Sequence, residues 1–267
     1  MLADGDLLLT VQDSRRETVQ DVIVLLDRDF GRILRVWDLN ESIPRNYSLM
    51  YDEDEIDWAH VNAVTFDSRD NGLVVSAQRR GVFKVSWDNE LVWILSDERG
   101  WDTWRDFLLE TDFGSTWGQH DVQYLSASQT FILFDNGLGR GYGNMRRFSR
   151  GIEFSVDDQE KTASLVREHG SDRPEYFSPI ISGIDSGPGD ELLINFGALG
   201  YLFSYQDSLN WRGQVAKTDP PLGAAWIEFG SDGEPLLEMS FSYVGPDSGV
   251  DQGMYRARYF DIFKAMR

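Results

Sequence analysis

The chain contains no cysteine, only four lysines and only three histidines among its 267 residues. The lack of cysteine excludes disulfide bonds and thiol chemistry, and it removes any indication of the redox compartment. No apolar run is long enough to cross a bilayer as a helix, so we expect no membrane insertion. The first six residues have neither a basic leader nor a long apolar stretch, and a strand pattern follows at once. We therefore predict no signal peptide here, and we expect the N-terminal part of the domain to be missing.

Acidic residues far outnumber basic ones, with 45 Asp and Glu against 25 Lys and Arg and a formal net charge of −20. Such a field repels nucleic acid and anionic membrane surfaces at long range, which argues against both as partners. The plain interpretation of the excess is a solvated acidic surface. The acidic run Asp52–Asp57 lacks a spaced set of oxygen ligands, so a solvated loop is favoured there over a calcium site.

What the chain has in abundance is short apolar segments bounded by Gly, Asp and Asn. Segments of this length and composition predict β-strands separated by turns. Only residues 101–109 and 259–266 are compatible with short helices, and strands that never alternate with long helices exclude a parallel βαβ sheet. The predicted strands are 7–11, 22–26, 33–37, 60–66, 73–76, 82–87, 91–95, 121–125, 130–134, 151–156, 164–167, 180–184, 192–196, 225–229 and 236–241.

A repeat underlies these strands. Residues 31–38 (GRILRVWD) resemble residues 81–88 (GVFKVSWD), and residues 151–156 (GIEFSV) stand at the corresponding place of the next group. Four-stranded units that can bury their faces only against one another are typical of a β-propeller. We predict an all-β chain that forms a single propeller domain, incomplete, with about four to five blades of a six-bladed type. Its three clear units lie near residues 57–97, 117–170 and 176–215, with a partial unit before them and a closing unit after them.

Two of the three histidines occupy equivalent places in this repeat. His60 follows Trp58 at the start of one unit, and His120 follows Trp117 at the start of the next. The first strand of each propeller blade lines the central channel, so both imidazoles are placed to converge on one pocket. A role in hydrogen bonding between blades explains the same spacing and stays open.

A glycine-rich turn carries the second candidate group. Residues 131–143 (FILFDNGLGRGYG) lead an apolar strand into Asp135, Asn136 and Gly137, and Arg140 follows. Glycines permit a tight turn with exposed N–H groups, and a guanidinium there offers a fork of donors to an oxyanion. An ordinary Asn-Gly turn with a solvent-facing arginine is the alternative. The lysine and hydroxyl of a P-loop are lacking, so no nucleotide is expected.

Taken in order, the segments DWAHVNAV, GVFKVSWDNELVWILS, GQHDVQYL, FDNGLGRG, FSRGIEF and YFSPIISG resemble the bacterial aryl-sulfate sulfotransferases, which need no nucleotide sulfate donor. The segment Tyr255–Arg258 resembles the C-terminal end of that family. The resemblance runs from about residue 5 onward and covers only the later part of the family's propeller. Relatives of this kind work mostly outside the cytoplasm, which implies a periplasmic or secreted protein by analogy.

The resemblance implies a two-step transfer through a sulfohistidine, from a phenolic sulfate ester to a phenol, without a cofactor. Neutral imidazole is a good nucleophile near pH 7, and donors must point at the sulfuryl oxygens. His60 and His120 match two channel histidines of the family, and Arg140 matches the sulfate-binding arginine of the FDNG turn. Asn62 and Asn136 are further candidates for substrate binding. Trp58 and Trp117 are placed to flank a phenol, whereas the other recurring tryptophans, Trp37, Trp87 and Trp93, suit packing between blades.

One departure from the family pattern matters. The family's nucleophilic histidine is expected on a later channel strand, and the corresponding residues 176–182 contain none. His169, the last histidine of the chain, stands at an outer strand end and is interpreted as structural. Either His120 or His60 is the nucleophile, or the alignment is displaced, or sulfotransfer has been lost. A silent propeller that binds a small anion or a phenol, or acts as a scaffold, is therefore the alternative. Two histidines without a convergent carboxylate pair disfavour a metal site.

Overall fold

The computed structural model describes residues 5–45, 56–98, 101–138, 140, 148–199, 223–241 and 253–259. Within these ranges strands dominate, and no helix is long and apolar enough to cross a membrane. One short α-helix covers Leu39–Ser42, and 3₁₀ helices cover Asp102–Phe107 and Pro174–Tyr176. The helix predicted over residues 101–109 is therefore a 3₁₀ helix. The helix predicted over residues 259–266 lies outside the described residues, apart from Tyr259.

The strands form four sheets, and within each sheet consecutive strands pair antiparallel, with one short strand of sheet C as the exception. Sheet A holds β1 (Leu7–Val11), β2 (Val22–Leu26) and β3 (Ile33–Asp38). Sheet B holds β4 (Val61–Asp67), β5 (Gly72–Ala77), β6 (Gly81–Val85) and β7 (Leu91–Leu95). Sheet C holds β8 (Glu110–Thr111), β9 (His120–Leu125), β10 (Thr130–Asp135), β11 (Arg150–Asp157) and β12 (Thr162–His169). Sheet D holds β13 (Gly183–Ser186), β14 (Leu192–Leu199), β15 (Gly223–Phe229) and β16 (Pro235–Phe241).

The first strands of the four sheets are neighbours: β1 contacts β4, β4 contacts β9, and β9 contacts β13. Four meanders whose first strands meet, and whose faces stack on the next sheet, make the predicted all-β propeller arrangement. In sheet C the short strand β8 adds to the outer edge by pairing in parallel with β12.

Each interface between sheets has its own hydrophobic core, because successive side chains of a strand point to opposite faces. In β5, Val75 lies in the core between sheets A and B, and the adjacent Val74 lies in the core between sheets B and C. In β10, Phe131 faces sheet B and Ile132 faces sheet D. Strands buried on both faces carry continuous apolar runs, which explains why these segments show no polar alternation.

The aromatic and charged side chains that recur between sheets A, B and C fasten one sheet to the next. Trp37 packs edge-on against Trp87 with ring centroids 5.1 Å apart, and its indole N–H donates to the Trp87 carbonyl at 2.9 Å. The predicted packing role of these tryptophans is confirmed for this pair. Lys84 is fully buried, and its ammonium group lies 2.7 Å from Asp67 in the same sheet and 2.8 Å from Asp158 in sheet C.

One predicted boundary is wrong. The third unit was expected to end near residue 215 and to be followed by a closing unit, but β15 and β16 complete the sheet that β13 and β14 begin. Ile194 of β14 pairs with Ile227 of β15, across the chain segment 200–222. Because this pairing joins strands that are distant in sequence, the regular spacing of the earlier units gave no indication of it.

Candidate functional site

His120 is the first residue of β9, and its side chain is buried at the inner end of sheet C, with 3% of its surface exposed. The backbone makes a sharp entry into the strand, since Gly118 and Asp121 on either side have φ angles of +64°. For Asp121 this left-handed conformation is unusual, and it is held by the contacts of the carboxylate described below.

The hydrogen bonds of His120 determine its tautomer. Nδ1 lies 2.8 Å from Oδ1 of Asn136 and 3.0 Å from the carbonyl oxygen of Gly118. The amide orientation of Asn136 is itself determined, because its Nδ2 donates to the carbonyl oxygens of Ser178 and Ile181, both at 2.8 Å. Both neighbours of Nδ1 are therefore acceptors, so Nδ1 carries the proton and the lone pair is on Nε2. Nε2 has no hydrogen-bond partner among the described residues.

Burial is the main cause that lowers the pKa of His120 to about 4; nearby His60 and Arg256 act in the same direction, and the hydrogen bonds to Asn136 and Gly118 oppose the shift. The imidazole is therefore neutral throughout the physiological range. A neutral ring with a determined Nδ1–H and an unpartnered Nε2 is the form that acts as a nucleophile.

Asp135, the residue before Asn136, organises the glycine-rich turn. Its fully buried carboxylate accepts the backbone N–H of Trp117 at 2.9 Å, pairs with Arg150 at 2.9 Å and also pairs with Arg140. Burial alone would raise the pKa of Asp135, but the guanidinium groups of Arg140 and Arg150 outweigh it and lower the pKa. Gly137 has a φ of +72°, and a Cβ there would meet the Phe148 carbonyl, so the turn requires glycine.

Arg140 is anchored by Asp135 and by an aromatic ring. Asp135 binds Nη2, and the guanidinium carbon lies 4.2 Å from the centre of the Phe148 ring. The buried Nε–H has no hydrogen-bond partner in the part of the chain that the structure describes, which makes it a candidate donor to an oxyanion. The paired carboxylate and the aromatic face hold this cation in place without a ligand.

His60 precedes β4, and its ring contacts a carboxylate. Nδ1 of His60 lies 2.6 Å from Oδ2 of Asp57, and the side chain of His60 is 34% exposed. Arg79 lies 3.5 Å from the same Oδ2. His60 has a φ of +51°, which turns its side chain out of the regular direction of the strand that follows. Its positive charge contributes to the lowered pKa of His120, so the two imidazoles share one electrostatic environment.

Asn62 ties the two histidine-bearing segments together. Its Nδ2 donates to the carbonyl oxygen of Gln119 at 2.8 Å, directly before His120. Its buried Oδ1 has no hydrogen-bond partner within the described ranges. The free group is therefore an acceptor, whereas sulfate binding was expected to need a donor; the role of Asn62 in substrate binding stays a prediction.

The segment 253–259 lies across the inner strands, and sequence analysis did not identify it as part of the site. Arg258 binds both carboxylate oxygens of Asp121, at 2.7 and 2.5 Å, and Arg256 donates to the carbonyl oxygen of Asn62 at 2.8 Å. The ring of Tyr255 lies edge-on to His120, with centroids 6.3 Å apart. The sequence did offer one signal for this segment: Arg256 and Arg258 stand close together in a chain with a net charge of −20.

The two tryptophans that precede the histidines are buried. Trp58 is 3% exposed, donates its indole N–H to Asp21 at 2.9 Å and is covered by Arg80. These contacts give it a packing role in the core between sheets A and B. Trp117 is 7% exposed. Contact of either ring with a phenol stays a prediction.

The structure thus joins His120 directly to Asn136, places His60 within electrostatic range of His120, and links the turn of Arg140 to the same strand end through Asp135 and Asn136. His169 is separate from this group, since it stacks on Phe229 of sheet D with ring centroids 4.6 Å apart.

Comparison with known proteins identifies the family of this chain. A family model described as Arylsulfotransferase (ASST) matches residues 1–232. The arylsulfate sulfotransferase AssT of Escherichia coli O6:H1 is 26% identical to this chain, and that of Lelliottia amnigena is 25% identical; each alignment covers 75% of this chain and 44% of the relative. The chain therefore spans less than half the length of these curated relatives.

Among solved structures, the Dos1 propeller overlaps 89% of this chain and 62% of its own, at 13% identity and a TM-score of 0.37. At this level of similarity the fold assignment rests on the four sheets and on the family match. With 232 of 267 residues matched by the family model, the chain belongs to the arylsulfotransferase family.

Proposed function

We propose that this protein transfers a sulfuryl group from a phenolic sulfate ester to a phenol, with Nε2 of His120 as the nucleophile. The observation that carries the proposal is the pair of acceptors on Nδ1 of His120, Oδ1 of Asn136 and the carbonyl oxygen of Gly118. They leave the lone pair on Nε2, and burial keeps the ring neutral.

In the first half-reaction, Nε2 forms a bond to sulfur while the bond from sulfur to the aryl oxygen breaks, and that electron pair leaves on the phenol oxygen. The ring gains positive charge as this happens, so its Nδ1–H becomes a stronger donor. The hydrogen bonds to Asn136 and Gly118 therefore strengthen on the way to the transition state, which is the property that lowers a barrier. A phenol oxygen then attacks sulfur, and the bond to Nε2 breaks.

In this proposal, cationic side chains stabilise the negative charge on the sulfuryl oxygens. Arg140 offers its unpartnered Nε–H, and Arg256 lies near enough to His120 to lower its pKa. Both suit sulfuryl oxygens, which carry negative charge throughout the transfer. His60, next to this group and partly exposed, is assigned the proton transfer to and from the phenol oxygens.

The nucleophile assignment also explains the departure from the family pattern. Residues 176–182 contain no histidine, yet the carbonyl groups of Ser178 and Ile181 in this stretch orient Asn136. In our proposal this segment supports the nucleophile instead of providing it. By analogy with the family we also propose that the protein acts outside the cytoplasm.

The test is the release of 4-nitrophenol from 4-nitrophenyl sulfate, with and without a phenol acceptor. The proposal predicts turnover by the unaltered chain and its loss in His120→Asn and Arg140→Ala. His169→Asn is the matched control, because it removes a histidine outside the site. Mass spectrometry of donor-treated protein without acceptor should find one added sulfuryl group on the peptide that contains His120.

The alternative, a silent propeller that binds a small anion or a phenol, gives a different result. It predicts saturable binding of the aryl sulfate, measured by calorimetry, without release of nitrophenol and without a modified peptide. A modified peptide that contains His60 and not His120 would assign the nucleophile to the other histidine.

A further inference from the structure

We propose that Asp57 is a positioning residue for His60, which sets its tautomer and ring orientation so that Nε2 of His60 exchanges a proton with the phenol oxygen. The inference rests on the proposed sulfuryl transfer and adds to it a carboxylate that neither the sequence motifs nor the family match identified. It is carried by the 2.6 Å contact between Oδ2 of Asp57 and Nδ1 of His60.

The contact determines which nitrogen of His60 is free. An ionised carboxylate can only accept, so Nδ1 of His60 is the donor and Nε2 is left to exchange protons with a substrate. The carboxylate also stabilises the ring when it carries two protons, because the opposite charge lies at hydrogen-bond distance. Both effects favour a ring that gains and loses its proton at Nε2.

Backbone hydrogen bonds fix the position of the segment that carries Asp57 and His60. The carbonyl oxygen of His60 accepts the N–H of Gln78 at 3.0 Å, and that of Ala59 accepts the N–H of Arg79 at 3.3 Å. These bonds attach the segment before β4 to the turn between β5 and β6. They maintain the positive φ of His60, a conformation that is unfavourable for a residue with a side chain. Strain of this kind is often found where a side chain must point at a substrate.

The exposures of Arg79, Asp57 and His60 favour a role of the Asp57–His60 pair in proton transfer over a role in charge neutralisation alone. Arg79 is 7% exposed, Asp57 17% and His60 34%, so exposure increases from the arginine to the imidazole. Arg79 already provides Asp57 with a buried positive neighbour. His60 is therefore not needed to neutralise the carboxylate, and it lies near enough to His120 to lower the pKa of that buried imidazole.

The proton balance closes over one cycle. In the first half-reaction, His60 with protons on both nitrogens gives its Nε2 proton to the leaving phenol oxygen as the bond from sulfur to that oxygen breaks. In the second half-reaction, Nε2 takes a proton from the acceptor phenol, whose oxygen bonds to sulfur while the electron pair of the nitrogen–sulfur bond returns to Nε2 of His120. Asp57 keeps its charge, and its hydrogen bond to Nδ1 persists throughout.

The test compares Asp57→Ala and Asp57→Asn with the unaltered chain on two donors. Nitrophenol leaves readily without protonation, whereas phenol itself is a poor leaving group. We expect Asp57→Ala to lower kcat with phenyl sulfate about tenfold to a hundredfold, with KM changed little, because protonation assists the departure of phenol. The burst of nitrophenol from 4-nitrophenyl sulfate should be nearly unchanged. Asp57→Asn keeps an acceptor oxygen without its charge and should be intermediate.

A second readout does not depend on turnover. The chain has only three histidines, so ¹⁵N NMR of histidine-labelled protein can assign each ring with the variants His120→Asn and His169→Asn. We expect His60 to carry its proton on Nδ1 in the unaltered chain and to shift toward the Nε2–H tautomer in Asp57→Ala. Asp88→Asn is the control, since Asp88 is exposed and pairs with Arg35.

The outcomes separate the inference from the function on which it rests. If the unaltered chain releases neither phenol from phenyl sulfate nor nitrophenol from 4-nitrophenyl sulfate, the proposed function fails and the inference fails with it. If the unaltered chain turns over both donors, and Asp57→Ala slows the first release of phenol and the first release of nitrophenol equally or leaves the tautomer of His60 unchanged, only the inference fails. A loss of activity in Asp57→Ala that is confined to phenyl sulfate, together with a changed tautomer of His60, supports the inference.

Discussion

Asn136 and His120 are joined in a single chain of hydrogen bonds that begins at the backbone of the segment before β13. The carbonyl groups of Ser178 and Ile181 accept the amide of Asn136, which in turn presents Oδ1 to Nδ1 of His120. Two backbone carbonyls thus decide where the lone pair of an imidazole in the neighbouring sheet lies.

Replacing Asn136 by alanine should therefore impair both stability and transfer. The change leaves the two carbonyl oxygens without their donor and removes one acceptor of Nδ1, at a cost of about 1–3 kcal/mol in the free energy of unfolding. We expect kcat for sulfuryl transfer to fall about tenfold to a hundredfold, as the ring loses its determined tautomer. Urea denaturation and 4-nitrophenyl sulfate turnover measure the two effects. Equal turnover in Asn136→Ala would contradict the role given to this chain of hydrogen bonds.

The lowered pKa of His120 predicts where the rate of the first half-reaction falls on the acid side of its pH profile. Protonation occupies Nε2, so the rate of the first half-reaction should fall only as the pH drops through about 4, well below the value of an exposed histidine. The burst of nitrophenol, recorded against pH, measures this. A limb centred near pH 6.5 would indicate an exposed, ordinary imidazole as the nucleophile.

The lowered pKa of His120 also makes the free energy of unfolding depend on pH. The folded state holds His120 neutral while the unfolded chain binds its proton below about pH 6.5, so the unfolded state gains protons first as the pH falls. The free energy of unfolding should therefore decrease between about pH 6.5 and 4, by about 3 kcal/mol from this residue. His120→Asn should remove that part of the pH dependence. Parallel pH profiles of the two proteins, measured by urea denaturation, would contradict the buried placement.

Asp121 and the segment 253–259 give a prediction about the substrate. Asp121 is 1% exposed and accepts Arg258 at both oxygens and the N–H of Ile184 at 3.0 Å. Asp121→Asn removes the charge that holds the segment, so Tyr255 and Arg256 should lose their fixed positions beside His120. We expect KM for the aryl sulfate to rise about tenfold, with faster proteolysis near the C-terminus. Glu228→Gln is the control: the Glu228 carboxylate accepts the hydroxyl of Tyr259 at the other end of the segment, so its loss of charge should change KM much less.

Lys84 provides a test of the fold that leaves the site alone. Its buried ammonium group lies within 3 Å of Asp67, Asp70 and Asp158, and the hydrogen bonds to these carboxylates raise its pKa although burial opposes the shift. Lys84→Met removes the buried cation shared by three carboxylates and leaves Arg69 as the cation that pairs with Asp67 and Asp158, so it should cost about 3–5 kcal/mol of stability. Lys161→Met, which removes a partly exposed lysine bonded to the Asp158 carbonyl, is the control and should cost less than about 1 kcal/mol. Equal losses would show that the buried cluster contributes little.

Local patterns were enough for most of the strands. The bounds of β1 and β7 agree with the prediction from sequence, and most others differ by one or two residues at an end. Strand periodicity and turn residues act within a few positions, so they are visible in the chain itself. The pairing of β14 with β15 is not local, and it was predicted wrongly.

For the site, the residue types and their place at the start of inner strands could be predicted from the amino-acid order: His60 before β4, His120 at the start of β9, and Arg140 beyond β10. Which nitrogen of each imidazole is free depends on contacts in the folded chain, because the groups that accept the other proton are Asp57 for His60 and, for His120, an amide oriented by the segment before β13. The fold also sets the place of Arg256 and Arg258, which reach the site from the segment 253–259. Hydrogen bonds and charge pairs depend on distances of a few ångströms between segments that are far apart in sequence, and no linear spacing encodes them.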